Sequence, residues 1–387
     1  MMLYFLLLSA LVGISSAAAP GFANGVTGGT GGATVYPTTL AQLRSYLCGS
    51  TDSRGYCTDN TARNIILNRS FDFRDSMGKT TERGCFHRNC NGKPGPSQVG
   101  LNFDNYCNGR TATSVTYDKA GRSGTILVGS NKTLLGSGNK GAIRGAGLMI
   151  KGGVSNIIIR NIAITDINPD VVWGGDGIDI DNSSRIWIDH CYFARIGRQM
   201  IAIGTKAVQW VTISFNEFDG KTGASATCDH RHYWVLLVLG AQDTVTIYGN
   251  YFHNSSGRGP QIGGSGTQHV HVVNNYFENL SSAGSLTAKV GASVLLEGNY
   301  YQTVTHPVYS STTGGAIFGS YSDAGTCASY LGRNCIGNRA AKCNTNYMPA
   351  NIAVLNVFKN YKKYLVNPMH GINVPSWVLA NAGVGKL

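Results

Sequence analysis

The chain has 387 residues and a formal net charge of +12, from 32 Lys and Arg against 20 Asp and Glu, with only 13% of residues charged. That low charge density, together with 51 Gly and 19 Tyr, excludes a disordered chain, a coiled coil and a charge-rich helical bundle. It points instead to many short strands joined by tight turns.

Residues 2–14 form an apolar run of 13. As a helix this run reaches about 20 Å, short of the roughly 30 Å hydrocarbon core of a bilayer. Followed by Ser15, Ser16, Ala17, Ala18 and Ala19, it reads as a signal peptide cleaved near Ala17 or Ala19. The expectation is a secreted, extracellular protein with no membrane span, residues 20–387 forming one domain. Thr38 or Thr39 can then cap a helix through Leu40, Leu43 and Leu47. Residues 75–122, rich in Gly, Asn and Cys, read as a disulfide-pinned excursion.

The middle of the chain repeats a short strand with a polar stop. Ile157-Ile158-Ile159-Arg160-Asn161 is followed by Ile186-Trp187-Ile188-Asp189-His190 and Val211-Thr212-Ile213-Ser214-Phe215-Asn216. The series continues through Asn250, Asn275 and Asn299, with aromatic pairs after the stop at Tyr251-Phe252, Tyr276-Phe277 and Tyr300-Tyr301. The stops at 161, 190, 216, 250, 275 and 299 are 29, 26, 34, 25 and 24 residues apart. A period of this size with strand-length apolar segments marks a stacked solenoid, whereas a β-sandwich would turn every 8 to 12 residues or so. The predicted fold is all-β, a right-handed parallel β-helix, with the Asn side chains bonding from coil to coil and the aromatics stacked behind them. The helix near Leu40 then serves as a plug over the open end, and the 34-residue gap holds a long loop at residues 223–234. The tail after residue 350 is expected to pack on the outside of the stack.

Ten cysteines suit an oxidising compartment, with Cys48 and Cys57, and Cys327 and Cys335, close enough in sequence to pair. Cys85 and Cys90 lack the second ligand pair that a zinc finger needs, so no metal is expected there. Sequons begin at Asn68, Asn131, Asn182, Asn254 and Asn279.

Three polar groups stand near repeat ends: Trp173-Gly174-Gly175-Asp176, Arg198-Gln199, and Ser256-Gly257-Arg258. Singly, each is an ordinary turn aspartate or surface cation. Coils at this period would align them on one face, and a groove running along parallel coils suits a polymer.

At these residues the chain resembles the fungal and oomycete pectin lyases of the pectate lyase superfamily. The matching text runs in order from Gly21-Phe22-Ala23 through Thr165-Asp166-Ile167-Asn168-Pro169, Trp187-Ile188-Asp189-His190, Ser225-Ala226-Thr227-Cys228, His232-Tyr233-Trp234 and Ser256-Gly257-Arg258 to Leu331-Gly332-Arg333-Asn334-Cys335. The resemblance implies β-elimination within methyl-esterified polygalacturonate, with Arg258 as base and Arg198 and Asp176 beside it. It implies substrate contacts from Trp173, His232, Tyr233, Trp234 and Tyr106. It also implies pairing of Cys85 with Cys107 and of Cys90 with Cys228, which leaves Cys191 and Cys343 over.

Arg195 and Arg198 stand where related enzymes place acidic calcium ligands, so no cofactor and no calcium requirement is expected. Asp170, Asp176 and Asp179 are the alternative metal set. Two departures stand out. Gln261 replaces a Lys three places after Arg258, which removes a cation and is expected to lower the rate or shift the preferred ester pattern. Cys85-Phe86-His87-Arg88-Asn89-Cys90 lacks a usual Trp, and fewer tryptophans with more cations suggest tolerance of partly de-esterified polymer. The positive charge attracts acidic polymers, and with no nucleic-acid motif the expected partner of this monomer is pectin. Calcium-dependent pectate lyase, a hydrolase using Asp176 and Asp179, and a non-catalytic wall-binding solenoid are the alternatives.

Overall fold

The computed structural model describes residues 18–282, 285–309 and 314–387; the apolar run at residues 2–14 lies outside them. Three sheets of ten, seven and nine strands, each paired in parallel throughout, share their strands almost in chain order. Successive coils therefore stack on one another, giving a parallel β-helix.

The core follows from the repeat. Ile157, Ile186, Val211, Val245, Val270 and Val294 stand in register across the ten-stranded sheet, as do Ile159, Ile188, Ile213, Ile247, Val272 and Leu296. Both columns are buried, and branched side chains of this kind suit a pleated, covered surface. At the corner, Phe193, Phe218, Phe252, Phe277 and Tyr301 form a buried stack with ring separations of 5.2, 4.6, 5.0 and 4.9 Å.

The expected ladder forms over Asn216, Asn250, Asn275 and Asn299 at 2.9–3.0 Å and continues to Asn338. The polar stops at Asn161 and His190 do not belong to it. Sheet register sets them level with Phe215, Gly249, Asn274 and Gly298, one place before the ladder. All six adopt positive φ, between 51° and 66°. A left-handed turn position favours Asn and Gly for backbone reasons, so it imitates the ladder in sequence. Cys191 occupies the ladder position above Asn216, and its backbone N–H donates to the Asn216 amide oxygen.

The helix Leu40–Leu47 is capped by Thr39, whose hydroxyl accepts from the Gln42 N–H, and it buries Leu43 and Leu47 in the core. Residues after 350 contribute to two small clusters. Val354, Leu355 and Phe358 pack with Phe22, Leu295 and Phe318, and Val374 and Val378 pack against Tyr276. The amino-terminal segment crosses the ten-stranded sheet: Phe22 and Ala23 N–H groups donate to Thr246 and Thr212 hydroxyls. Gly21 has φ of +66°, and a Cβ there would lie 2.4 Å from the Thr246 hydroxyl, so the crossing requires glycine.

The excursion is a four-stranded sheet built from Lys79–Phe86, Val99–Leu101, Ala112–Asp118 and Val171–Val172. All four anticipated disulfides are present, Cys48–Cys57, Cys85–Cys107, Cys90–Cys228 and Cys327–Cys335. Cys191 and Cys343 are free thiols, the first buried, its pKa pushed up to about 12 by that burial. Of the sequon asparagines, Asn68 and Asn182 are exposed, whereas Asn254 and Asn279 bond to each other.

Candidate active site

The outward face of the seven-stranded sheet forms a floor. Leu127, Met149, Asp179, Ala202, Leu237, Gln261 and Thr287 stand in register along it, one from each coil. Loops at the strand ends raise walls beside this floor. Between them lies a cleft of about 670 Å³ whose lining includes Trp173, Asp176, Asp179, Arg198, Leu237 and Arg258.

Arg198 and Asp176 form a bidentate pair, the guanidinium Nε and Nη2 donating to the two carboxylate oxygens at 2.9 and 2.7 Å. The Gln199 N–H also donates to Asp176, at 2.8 Å. The Arg198 guanidinium lies 4.1 Å from the centre of the Trp173 ring. It is thus fixed by two planes at once, a geometry that lysine cannot reproduce.

Arg258 is held differently. Its guanidinium sits 4.7 Å from the centre of the Trp234 ring, and it has no carboxylate partner among the described residues. Its Nε is buried without a hydrogen-bond partner. Burial first, and then the nearby Arg198 charge, pull its pKa down to about 10, with Tyr233 and Asp176 opposing. Its backbone is left-handed, with φ of 44°, an uncommon state for a side chain of this size. The Leu236 N–H donates to its carbonyl at 2.7 Å and holds that turn in place.

Of the expected aromatics Trp173 lines the cleft, and Tyr106, Tyr233 and Trp234 cluster with it. Trp234 is nearly buried and its indole N–H donates to Gln98, whose own amide spans to the Pro169 and Gly197 carbonyls. Trp173 is contacted by Tyr106 at 6.1 Å and by the exposed Phe103 at 4.8 Å. Tyr106 bonds through its hydroxyl to His87 Nδ1. Tyr233 packs on Trp234 at 4.9 Å and on Gly257.

His232 is a correction. It is 2% exposed, and its Nε2 faces the Arg198 and Trp234 carbonyls at 2.8 and 3.0 Å. Burial pushes its pKa down to about 4, so the neutral ring donates to backbone and does not face substrate. It positions the two loops that carry Arg198 and Trp234. Gln261 is half-buried on the floor beside Leu237. Arg195 does not join Arg198; it pairs with Asp166 on the nine-stranded sheet.

Nor do the three aspartates of the alternative metal set share a site. Asp176 is gripped by Arg198, Asp179 is bridged by Lys151 at 2.6 Å, and Asp170 is absent from the cleft lining. Sequence reasoning missed Lys151, Gln98 and Phe103, none of which stands in a distinctive motif. If the bidentate pair fixes Arg198, Asp176→Asn should lower kcat/KM by about tenfold or more, because a charge-assisted fork becomes a neutral contact. Unchanged kinetics would remove Asp176 from the machinery.

The family model described as pectate lyase matches residues 96–387. The chain is 45% identical over 345 residues to a probable pectin lyase B of Aspergillus fumigatus, covering 88% of this chain and 87% of that one. It is 46% identical over 327 residues to a pectin lyase 2 of Aspergillus oryzae, covering 84% and 83%. Among solved structures, a pectate lyase variant of Xanthomonas campestris superposes with a TM-score of 0.57 at 18% identity, over 95% of this chain and 98% of that one; at that identity the likeness speaks for the fold. A stack of parallel coils, two guanidiniums above its outward floor and relatives this similar over most of their length place the chain in the pectate lyase family.

Proposed function

We propose that the protein is a pectin lyase that cleaves methyl-esterified polygalacturonate inside the chain by β-elimination. The observation that carries the reading is the pair of guanidiniums lining one cleft, one tied to Asp176 and the other, Arg258, half-buried with no ion pair of its own among the described residues. A base removes the proton at C5 of the sugar, alpha to the ester carbonyl. The electron pair passes through an enolate into a C4–C5 double bond, and the C4–oxygen bond breaks, its oxygen taking up a proton from solvent. Negative charge collects on the ester carbonyl oxygen during this step, and a preorganised cation beside it is the largest single help a protein can give. Arg258, its pKa lowered by burial, takes the proton; Arg198 faces the developing oxyanion.

Two of the three cleft carboxylates, Asp176 and Asp179, are already engaged by Arg198 and Lys151, which supports a reading without calcium. An ester enolate also carries one negative charge fewer than the enolate of a free uronate, so a fixed guanidinium suffices to balance it. Trp173, Tyr106, Tyr233 and Trp234 frame the polymer's path. We infer further that the protein is secreted and acts as a monomer on wall pectin rather than on nucleic acid; four disulfides agree with an oxidising compartment. No helix among the described residues is long and apolar enough to cross a membrane.

Incubation with highly esterified pectin should release unsaturated products that absorb in the ultraviolet, at the same rate with and without a chelator. Products without ultraviolet absorbance would indicate hydrolysis instead. Cleavage confined to unesterified polymer and abolished by chelation would indicate a calcium-dependent pectate lyase.

A further inference from the structure

A second cavity, of about 600 Å³, opens on the excursion and is lined by Phe86, His87, Arg88, Ser97, Arg110 and Thr111 among others. Its volume lies in the range of sites that hold small ligands. The two cavities differ in charge. Asp176, Asp179 and Asp181 line the cleavage cleft beside its cations, whereas among the described residues no carboxylate lines the second cavity.

Arg110 is braced there. Its Nε donates to the His87 carbonyl at 3.1 Å, an Nη donates to the Tyr106 carbonyl, and the guanidinium lies 4.3 Å from the centre of the Tyr106 ring. Arg88 is anchored through its backbone N–H, which donates to the Ser97 hydroxyl at 3.1 Å. Neither guanidinium has an ion-pair partner among the described residues. Phe86, 41% exposed, offers an apolar face at the same opening. Burial, followed by the charges of Arg88 and Arg110, pushes the pKa of His87 down to about 4, so its ring stays neutral beside them.

The cavity also adjoins the cleavage cleft. The His87 ring meets the Trp234 ring edge-on at 5.8 Å, and Trp234 is the ring under Arg258. We propose that this cavity is a carboxylate subsite, in which Arg88 and Arg110 hold unesterified galacturonate units of the polymer against Phe86 while esterified units lie in the cleft. The inference rests on the uronate polymer proposed above for its ligand, and not on the elimination step. Guanidinium forks match carboxylates in shape and charge. A methyl ester at the same position offers no charge to pair. The enzyme would thereby be drawn to pectin carrying both esterified and free units.

The test is titration calorimetry of trigalacturonate, and separately of its methyl ester, into the intact protein at low and moderate salt. Trigalacturonate should lose affinity with added salt and bind about tenfold more weakly to Arg88→Gln/Arg110→Gln, whereas binding of the methyl ester should be unchanged in that variant. Arg88→Gln alone should show part of that loss, and among the described residues its side chain makes no hydrogen bond whose removal would disturb folding. Equal affinity of trigalacturonate for the wild type and the double variant, or an equal loss of affinity for the methyl ester, overturns the subsite. Should esterified pectin go uncut while trigalacturonate binding still depends on Arg88, the lyase reading fails and the subsite stands. If pectin is cut and binding ignores Arg88, the reverse holds.

Discussion

Replacing Arg258 with alanine is expected to lower kcat by about 10³-fold, the scale of a lost general base, with KM for esterified pectin changed far less. The other walls of the cleft remain, so the polymer still binds. The pH dependence carries the sign of the mechanism. A base acts in its deprotonated form, and burial brings Arg258 down to about 10, so the competent fraction grows as pH rises toward that value. After subtraction of uncatalysed elimination, kcat/KM should therefore climb through the neutral and mildly alkaline range. Arg258→Lys, subject to the same burial, should keep part of the activity with its profile displaced toward acid. Turnover undiminished in Arg258→Ala would reject the assignment.

Phe252→Ala is expected to destabilise the protein by about 3–5 kcal/mol, as for other large-to-small changes in well-packed cores. Phe252 is fully buried between Phe218 and Phe277, with ring planes 10° and 13° from parallel to its neighbours. Truncation opens a void and removes both stacking contacts, and the parallel coils on either side cannot close up without breaking their backbone register. Urea unfolding followed by circular dichroism measures the loss. A change below about 1 kcal/mol would mean that the coils tolerate the void and that the stack contributes little.

The coil register was legible because strand residues, ladder and aromatic pair recur together. The ladder was misplaced by one residue at Asn161 and His190 because two adjacent positions favour the same amino acid for different reasons. Asn274 and Asn275 show both, the first in a left-handed turn and the second hydrogen-bonded to the neighbouring coil. Arg198, Arg258 and Asp176 were legible as a group through the repeat spacing and the family resemblance, and the fold does bring them to one cleft. The floor was hidden, since Met149, Ala202 and Leu237 are apolar residues in no distinctive motif although they line the cleft. His232 was misassigned because a ring in an aromatic run gives no sign of which way it points. Gln98 gave no signal at all: its three hydrogen bonds join segments that lie far apart in the chain.

The strip of chain at Phe22 is gripped from both sides. Beneath it lie Thr212 and Thr246, and over it lie Tyr361 and Tyr364 from the other terminus. The first part of the domain to leave the ribosome therefore cannot settle until coils more than two hundred residues later have emerged, and is locked down only by nearly the last. Assembly of this molecule cannot run simply from front to back: the leading end must wait, and the two ends fasten each other like a clasp. Trimming either one would loosen the opposite terminus before it disturbed the coils between.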